Sequence, residues 1–362
     1  MYAFRWIGAS SPQLRIRAPV AAGSATPRVT VGLDNGGTSN NATVMDLHGR
    51  FLVDGLLESP SHVTRGPTIA IEALAESLDA VLLHTGLERS SVDAVGLASP
   101  GPASASGVIS SRGGTNFVDP GWRSFDFRGA LERRLGIPVT YMNDGNAAAL
   151  YAHKSFFGPE ADRKSSISAI VGTGLGGGVV ESGRVVVGAT GTAAELGHIQ
   201  LQLDGILAPG QPIPRCNCGA AGDVESIASL TGIEVNLLPF WLGQYPDHPL
   251  AEGSLPAAAK RVRGLGERGD EMALRLFEQQ AMAIGRLFSL GANFLDADAY
   301  FVGGGIIEAS ADFRDWFLGR VAEHAEFRDE QRAVVEVAVV PDGDMAGARG
   351  AAMAASARAT RT

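Results

Sequence analysis

The chain has 362 residues, 45% of them hydrophobic and 19% charged, which is typical of a folded globular protein with about two domains. Its net charge of -9 disfavours nucleic acid as a partner, and no run approaches the roughly 18 apolar residues of a transmembrane helix. Only one residue separates Cys216 from Cys218, which disfavours a disulfide between them and favours a reducing, cytoplasmic setting.

The first 29 residues contain four arginines and no acidic residue. A transit peptide has a similar composition, but the segment lacks the continuous apolar core of a secretion signal. We expect residues 1–29 to form a disordered N-terminal extension.

The next segment predicts a unit of strand, glycine turn and strand. Residues 30–33 form an apolar strand, residues 34–38 (Asp-Asn-Gly-Gly-Thr) form the turn, and residues 42–47 resume strand character. A Gly-Arg turn at residues 49–50 leads into a third strand at residues 51–53. Backbone N–H groups of a glycine turn can approach an anion, although such turns also simply end strands.

Apolar residues at helical spacing predict a helix over residues 67–85, with Pro67 in its first turn and Gly86 as its C-terminal cap. Further along, the pattern predicts a strand at 92–98, a helix at 127–135, a strand at 138–142 and a helix from Ala147. Asp144 stands between the last two elements. It is either a helix cap or a residue facing a ligand cleft, because both places favour a carboxylate.

The stretch from Ser166 to Leu201 repeats the order of strands and turns found in the first unit. A strand at 167–171 precedes the glycine turn Gly172–Gly178, and a turn at 181–184 returns the chain into residues 185–187. Two copies of one strand–turn–strand unit predict a duplicated architecture. The polar cluster Glu195-Leu196-Gly197-His198 follows the second copy.

A loop rich in proline and glycine delivers Cys216 and Cys218. With His198 and Asp223 they supply four plausible zinc ligands. The alternative is two small apolar residues buried in a loop, since an isolated Cys-X-Cys is weak evidence.

The C-terminal part predicts a long core helix over residues 271–294 and a strand over 298–302. The strand ends at Gly303-Gly304-Gly305, a third glycine turn. A final helix over residues 343–357 is rich in small residues, which permits close packing on a neighbour.

Taken together in this order, the motifs resemble the ROK family of sugar kinases over residues 30–357. The most specific segments are residues 34–38, 143–150, 195–198 and 216–219. The resemblance implies a two-lobed actin-like (ribonuclease H-like) α/β kinase fold with the active site in the interlobe cleft. It implies a small lobe of residues 30–142 with the helix at about 345–357, and a large lobe of residues 143–344 containing the zinc-type loop.

The resemblance also assigns roles to residues. Asp144 is expected to be the general base, since a sugar hydroxyl must lose its proton as it attacks phosphorus. Asp34 is expected to hold the Mg²⁺ that accompanies ATP. The expected ATP contacts are Asp34, Asn35, Gly36, Gly37, Thr38, Thr173, Gly174, Gly303 and Gly304. The expected substrate contacts are Asn116, Asn143, Asp144, Glu195, His198 and Glu225, and the expected zinc ligands are His198, Cys216, Cys218 and Asp223.

Three departures from the family pattern affect the substrate more than the reaction. Asp223 stands where the family usually has a third cysteine, Tyr151 and Ala152 replace a Gly-Glu pair, and the loop between His198 and Cys216 is longer than usual. We expect a kinase that acts on the primary hydroxyl of a glucose-like ring. Because of these departures, an amino sugar or a C7 cyclitol is the alternative substrate.

Two other classes of function remain to be weighed. The family includes sugar-responsive repressors, but residues 1–29 are too few for their winged helix-turn-helix domain. A catalytically silent sugar-binding protein would be expected to lose the base, whereas Asp144 is present. The resemblance further suggests a homodimer without membrane or nucleic-acid partners.

Overall fold

The computed structural model describes the backbone of residues 5–7 and 359, and residues 28–114 and 116–358 in full. Most of the extension expected at residues 1–29 therefore lies outside the described residues. The chain divides into two compact units. Unit 1 contains the described residues up to Tyr151, residues 187–193 and the described residues from Asp344 onward, and unit 2 contains residues 152–186 and 194–343.

The strands and helices alternate along much of the chain. The strands are β1 Arg5–Ile7, β2 Val29–Asn35, β3 Ser39–Asp46, β4 Leu56–Pro60, β5 Val92–Ser99, β6 Val139–Asn143, β7 Ser166–Val171, β8 Leu175–Glu181, β9 Arg184–Val185, β10 Ala299–Gly304 and β11 Glu336–Val339. The helices are α1 Pro67–Thr85, α2 Phe127–Leu135, α3 Asp144–Phe157, α4 Val224–Ala228, α5 Leu230–Gly232, α6 Leu238–Gln244, α7 Leu255–Gly266, α8 Glu271–Phe294, α9 Ala311–His324, α10 Asp329–Arg332 and α11 Gly343–Ala359.

Each unit is built on one mixed sheet. The sheet of unit 1 has the order β1-β4-β3-β2-β5-β6, and the sheet of unit 2 has the order β11-β10-β7-β8-β9. Strand β2 pairs antiparallel with β3 and parallel with β5, while β7 pairs antiparallel with β8 and parallel with β10. The five strands β4-β3-β2-β5-β6 thus correspond to β9-β8-β7-β10-β11, which confirms the predicted duplication.

Three helices were predicted with the correct bounds. Helices α1, α2 and α8 begin and end at the predicted residues. The predicted strand at 51–53 is wrong: only Phe51 bridges to Met45, and the next strand is β4. Asp54 and Gly55 interrupt the apolar run there, so the chain forms its next strand only after these two residues.

Two other boundaries differ from the prediction. Strand β9 ends at Val185 instead of residue 187, because the chain leaves the sheet and residues 187–193 join unit 1. Helix α3 begins at Asp144 instead of Ala147, because the Asn143 side-chain oxygen accepts a hydrogen bond from the N–H of Asn146 and caps the first turn. Helix α9 and strand β11 had no counterpart in the prediction.

The C-terminal helix α11 lies close against the sheet of unit 1. A Cβ atom on Gly32 of β2 would stand 1.8 Å from the Ala348 carbonyl oxygen, and one on Gly96 of β5 would stand 1.9 Å from that of Ala351. Backbone therefore meets backbone, which requires glycine on the strands and small residues on the helix. The close packing expected of this helix is confirmed.

The core of unit 2 forms around helix α8. Ala281, Ile284 and Phe288 of this helix are fully buried, and the ring of Phe288 contacts that of Tyr300 in β10 at 5.0 Å between centroids. No helix among the described residues is long and apolar enough to cross a membrane.

Candidate active site and metal cluster

In unit 1 the parallel strands β2, β5 and β6 end at one edge of the sheet. Asp34 is the penultimate residue of β2, Asn143 is the last residue of β6, and Asp144 begins helix α3 directly after it. Ligands of α/β proteins gather beyond the carboxyl ends of such strands. Both aspartates are half-buried, so two partly buried carboxyl groups lie at this edge of the sheet.

The two carboxyl groups influence each other electrostatically. Burial, and then the negative charge of Asp144, raises the pKa of Asp34 to about 7. Burial also raises the pKa of Asp144, although its Oδ1 accepts a hydrogen bond of 2.7 Å from the N–H of Gly145, which acts in the opposite direction. A pair of carboxyl groups with raised pKa values at a strand edge is typical of a site for acid–base chemistry or a divalent cation.

The first glycine turn lies beside this pair. The N–H of Gly36 donates to the Ser39 carbonyl at 2.8 Å, whereas the N–H groups of Gly37 and Thr38 make no hydrogen bond within the described part of the chain. A Cβ on Gly37 would stand 2.6 Å from Oδ1 of Asn116, so the turn contacts the loop that contains this residue. Two free N–H groups in an open turn are suited to an anion.

The side chain of Asn35 supports the first glycine turn from inside the unit. Its side chain is fully buried and donates through Nδ2 to Oδ1 of Asn40 at 2.7 Å across the β2–β3 hairpin. This bond holds the two ends of the turn together. The amide of Asn35 thus shapes the turn from inside the unit.

The second and third glycine turns are neighbours in unit 2. Gly304 ends β10 opposite Val171, the last residue of β7, and a Cβ on Gly304 would stand 1.8 Å from the Val171 carbonyl oxygen. The φ angle of Gly304 is 85°, which also favours glycine. Among the described residues, the N–H groups of Thr173 and Gly174 make no hydrogen bond, while that of Gly172 closes the turn onto the Gly174 carbonyl.

Glu225 of helix α4 is tied to the second glycine turn. Its Oε2 accepts a hydrogen bond of 2.8 Å from the N–H of Leu175, and its Oε1 accepts one of 3.4 Å from Sγ of Cys216. A Cβ on Gly174 would stand 2.5 Å from Oε2. The carboxylate therefore joins the glycine turn to the cysteine loop, a link that no pattern in the sequence indicated.

Thr231 also supports the second glycine turn, and the sequence analysis did not single it out. Its N–H and its hydroxyl both donate to the carbonyl oxygen of Thr173, at 3.1 Å and 2.8 Å. The adjacent Leu230 donates its N–H to the carbonyl of Gly172 at 3.0 Å. The short helix α5 thus fixes the carbonyls of the turn, while the N–H groups of Thr173 and Gly174 have no hydrogen-bond partner among the described residues.

The four expected metal ligands meet in unit 2. The ligand atoms of His198, Cys216, Cys218 and Asp223 all lie within 4.8 Å of one another. Nδ1 of His198 is 3.4 Å from Oδ2 of Asp223 and 3.8 Å from Sγ of Cys216, and the Cys218 sulfur is 3.7 Å from the same Asp223 oxygen. Tetrahedral zinc with such ligands has edges of about 3.4 to 3.8 Å. The residues present therefore fit a zinc ion.

Asp223 serves two partners at once. It is fully buried, and while Oδ2 faces the cluster, Oδ1 accepts a hydrogen bond of 2.9 Å from the N–H of Ser226 and caps helix α4. Burial raises the pKa of the Cys216 thiol above its usual value. Because a thiol must lose its proton to bind a metal, metal binding at this cluster is expected to release protons.

Glu195 lies just before the short 3-10 helix Leu196–His198 and is exposed. Its carbonyl accepts the N–H of His198 at 3.1 Å. Glu195 and the exposed ring of His198 are thereby held within one helical turn.

Comparison with known proteins identifies the family. Residues 30–358 match the model of the ROK family. The chain belongs to this family. A glucokinase from Halalkalibacterium halodurans is 31% identical over 312 residues, which are 82% of this chain and 89% of that protein. An N-acetylmannosamine kinase from Citrobacter koseri is 28% identical over 317 residues, covering 86% of this chain and 92% of that protein.

A solved structure agrees with these relatives. The crystal structure of a ROK family glucokinase from Streptomyces griseus in complex with glucose and AMPPNP has a TM-score of 0.68 and 26% identity to this chain, covering 90% of this chain and 99% of that one. The predicted family, the two-lobed actin-like fold and the kinase class of enzyme are confirmed.

Proposed function

We propose that this ROK-family protein transfers the γ-phosphoryl group of ATP to the primary hydroxyl of a glucose-like ring. The observation that carries the proposal is the half-buried carboxylate of Asp144, placed at the N-terminus of α3 beside Asp34. The glucokinase from Halalkalibacterium halodurans and the complex with glucose and AMPPNP from Streptomyces griseus support glucose and ATP as the first substrates to test.

Asp144 is the proposed general base. Its free carboxylate oxygen accepts the proton of the sugar hydroxyl while the hydroxyl oxygen forms a bond to the γ-phosphorus and the bond from that phosphorus to the leaving ADP oxygen breaks. The bond from Gly145 to Oδ1 fixes the orientation of the carboxylate. A raised pKa makes Asp144 a stronger base than an exposed aspartate.

Asp34 is the proposed ligand of the Mg²⁺ ion that accompanies ATP. An oxygen ligand of this type suits Mg²⁺, and the ion would neutralise charge on the phosphates. The cation would also lower the pKa of Asp34, because it favours the ionised carboxylate.

The proposed nucleotide contacts follow the glycine turns. In unit 1 the N–H groups of Gly37 and Thr38, and in unit 2 those of Thr173 and Gly174, are the donors available for phosphate oxygens. Gly303 and Gly304 would face the adenosine. Asn35 contributes by holding the first turn through Asn40, and Gly36 by closing it.

The proposed sugar contacts are polar side chains, namely Asn116, Asn143, Glu195, His198 and Glu225. Such donors and acceptors suit a ring with many hydroxyls, because a site that pairs hydroxyls discriminates against analogues that lack them. An amino sugar is the alternative substrate, supported by the N-acetylmannosamine kinase of Citrobacter koseri; a C7 cyclitol remains the third.

Zinc is the proposed occupant of the His198, Cys216, Cys218 and Asp223 cluster. When bound there it would be structural, since four protein ligands close a tetrahedral site. It would hold the cysteine loop against the cap of α4, and thereby fix the position of Glu225 in the first turn of that helix. Reduced thiols are required, so we propose a cytoplasmic location; a homodimer is proposed from the family resemblance alone.

A substrate panel tests the proposal directly. Purified protein is incubated with ATP and Mg²⁺ together with glucose, mannose, N-acetylmannosamine, glucosamine and C7 cyclitols, and the phosphorylated position is read by NMR. We expect phosphate on the primary hydroxyl of a glucose-like ring. If none of these rings is phosphorylated, the proposed activity is contradicted.

A further inference from the structure

Arg349 is a buried arginine of the C-terminal helix α11. It is 8% exposed, and arginine is rarely buried to this extent unless other groups bind its guanidinium. It lies two residues after Gly347, which packs against Asp34 of β2. The helix that contacts Asp34 therefore carries a buried cation within the same turn.

Two aromatic rings contact the guanidinium group of Arg349. Its Cζ lies 4.9 Å from the ring centroid of Phe51 and 5.5 Å from that of Tyr151, both within the limit of about 6 Å for a cation–π interaction. The two rings also pack edge to face, with 5.9 Å between their centroids. The three side chains form one contiguous cluster in unit 1, which we call the arginine clamp.

Hydrogen bonds fix the orientation of the guanidinium group. Nη1 donates to the hydroxyl oxygen of Tyr151 at 2.7 Å, and Nη2 lies 3.5 Å from the carbonyl oxygen of Val53. The first of these bonds is buried and charge-assisted, which makes it stronger than a bond between neutral groups. A planar guanidinium can stack on rings and donate in its own plane at the same time. Arg349 therefore has a defined geometry relative to Tyr151 of helix α3.

Helices α3 and α11 also meet through their backbones. A Cβ on Gly350 of α11 would stand 1.8 Å from the carbonyl oxygen of Ala147 in α3. Ala147 and Tyr151 are four residues apart and therefore lie on the same face of α3. Asp144 stands three residues before Ala147, at the start of the helix. The face of α3 that contacts α11 thus begins with Asp144.

The clamp depends on a residue that departs from the family pattern, since Tyr151 and Ala152 replace a Gly-Glu pair. A glycine in place of Tyr151 offers neither a ring nor a hydroxyl group. Apolar side chains would pack the two helices without the cost of removing a charge from water. A buried cation with a directional hydrogen bond instead specifies one arrangement of α3 and α11.

We propose that Arg349 is a positioning residue which, by holding Tyr151, sets where Asp144 stands relative to Asp34. This inference rests on the proposed function, in which Asp144 is the base and Asp34 holds Mg²⁺. Tyr151 lies seven residues after Asp144, about 10.5 Å along the helix axis, so a tilt of α3 at Tyr151 displaces its first turn. A displacement of about 1 Å at a reacting group can lower the rate about 10²-fold.

Three variants weaken the clamp to different extents. Arg349→Met keeps an unbranched side chain but loses the charge and the donors. Arg349→Lys keeps the charge beside the rings, and Tyr151→Phe loses the hydroxyl alone. Thermal unfolding identifies a temperature at which every variant is fully folded, and the kinetics are measured at that temperature.

Two matched controls make the same chemical changes in unit 2. Tyr245→Phe removes a hydroxyl group that donates to Glu271 of helix α8. Arg320→Met removes a guanidinium group that pairs with Glu278 of the same helix. None of these four residues belongs to the proposed active site, so both controls are expected to keep the wild-type kcat even where they lower the thermal stability.

We expect Arg349→Met to lower kcat about tenfold, while the KM values for sugar and ATP stay within about twofold of the wild type, because the groups that bind both substrates remain in place. Tyr151→Phe is expected to show a smaller loss of kcat, and Arg349→Lys to retain more activity than Arg349→Met. The double variant of Tyr151→Phe and Arg349→Met is expected to equal Arg349→Met alone, since both changes act on one contact.

Amide hydrogen exchange tests the position of α3 without turnover. NMR follows the N–H groups of Gly145 and Asn146 in the first turn, which we expect to exchange severalfold faster in Arg349→Met than in the wild type or the controls. Unchanged exchange in Arg349→Met, or an unchanged kcat, overturns the proposal. If the wild type phosphorylates no ring, the proposed function fails, and the exchange rates alone decide whether Arg349 holds α3.

Discussion

Gly347 of helix α11 lies directly against the carboxyl group of Asp34. A Cβ at position 347 would stand 2.3 Å from Oδ2 of Asp34 and 2.7 Å from its Cγ, distances that real Cβ atoms do not adopt. The C-terminal helix therefore packs directly against Asp34, the proposed magnesium ligand. Any side chain at position 347 must displace either Asp34 or the helix.

Gly347→Ala is expected to lower kcat at least tenfold and to raise the Mg²⁺ concentration needed for half-maximal rate, because Asp34 has to move. Steady-state kinetics over a Mg²⁺ series measures both. Gly319→Ala in helix α9 is the control, since its Cβ meets nothing within 4 Å. The control is expected to keep its activity and to gain up to about 1 kcal/mol of stability from helix propensity. Normal kinetics in Gly347→Ala would show that Asp34 does not need its present position.

Asp144→Asn is expected to lower kcat by about 10² to 10⁴, because the amide cannot accept the hydroxyl proton as a base. Sugar binding, measured by calorimetry without ATP, is expected to remain detectable, since the amide keeps the shape of the carboxylate. Asp162→Asn, at an exposed position of unit 2, serves as the control. A near-normal rate in Asp144→Asn would remove this residue from the role of base.

The raised pKa of Asp34 predicts how stability depends on pH. The folded protein holds this proton up to about pH 7, whereas the unfolded chain releases it near the usual value of 3.8. The stabilisation from the bound proton is therefore complete below about pH 4 and is lost as the pH rises to 7. In Asp34→Asn this loss is absent, so the stability of the variant relative to the wild type is expected to increase between pH 4 and 7.

Urea unfolding of both proteins at each pH, with EDTA present, measures this difference. A stability difference that stays constant between pH 4 and pH 7 would show that Asp34 titrates normally.

Asp223→Ser separates the two roles of Asp223. Serine is a good helix cap but a poor zinc ligand, so the variant is expected to keep the cap of α4 and to lose zinc affinity. Asp223→Ala is expected to lose both, with about 1 kcal/mol less stability in EDTA than the serine variant. Metal analysis of protein purified without chelator is expected to give one zinc per chain for the wild type. Wild-type protein without zinc would contradict the proposed site.

Thr231→Val removes the hydroxyl that donates to the Thr173 carbonyl and keeps the parallel bond from its own N–H. We expect the KM for ATP to rise severalfold with little change in the KM for the sugar, because the turn that presents N–H groups to phosphate becomes looser. Thr190→Val, whose hydroxyl bonds only to Thr192 in the described structure, is the control. Equal changes in both KM values would indicate a general loss of structure.

Local patterns in the sequence were sufficient for much of the scaffold. Helices α1 and α8 could be bounded because long amphipathic segments with caps contain their own start and stop signals. The strand expected at 51–53 failed because a three-residue apolar run does not determine whether it finds a pairing partner. The short strand β11 lacked a distinctive pattern of its own, and it is defined by pairing with β10.

The sequence by itself indicated the family and the duplicated strand units, because the joint order of its motifs is far more specific than any one of them. It also proposed four zinc ligands, which the structure brings together. Only the tertiary structure decided which atoms meet. The coupling of Asp34 to Asp144, the contact of Gly347 with Asp34 and the bridge from Glu225 to Leu175 all join residues far apart in the chain. Such contacts depend on how strands and helices pack at distances of a few ångströms, which no local pattern encodes.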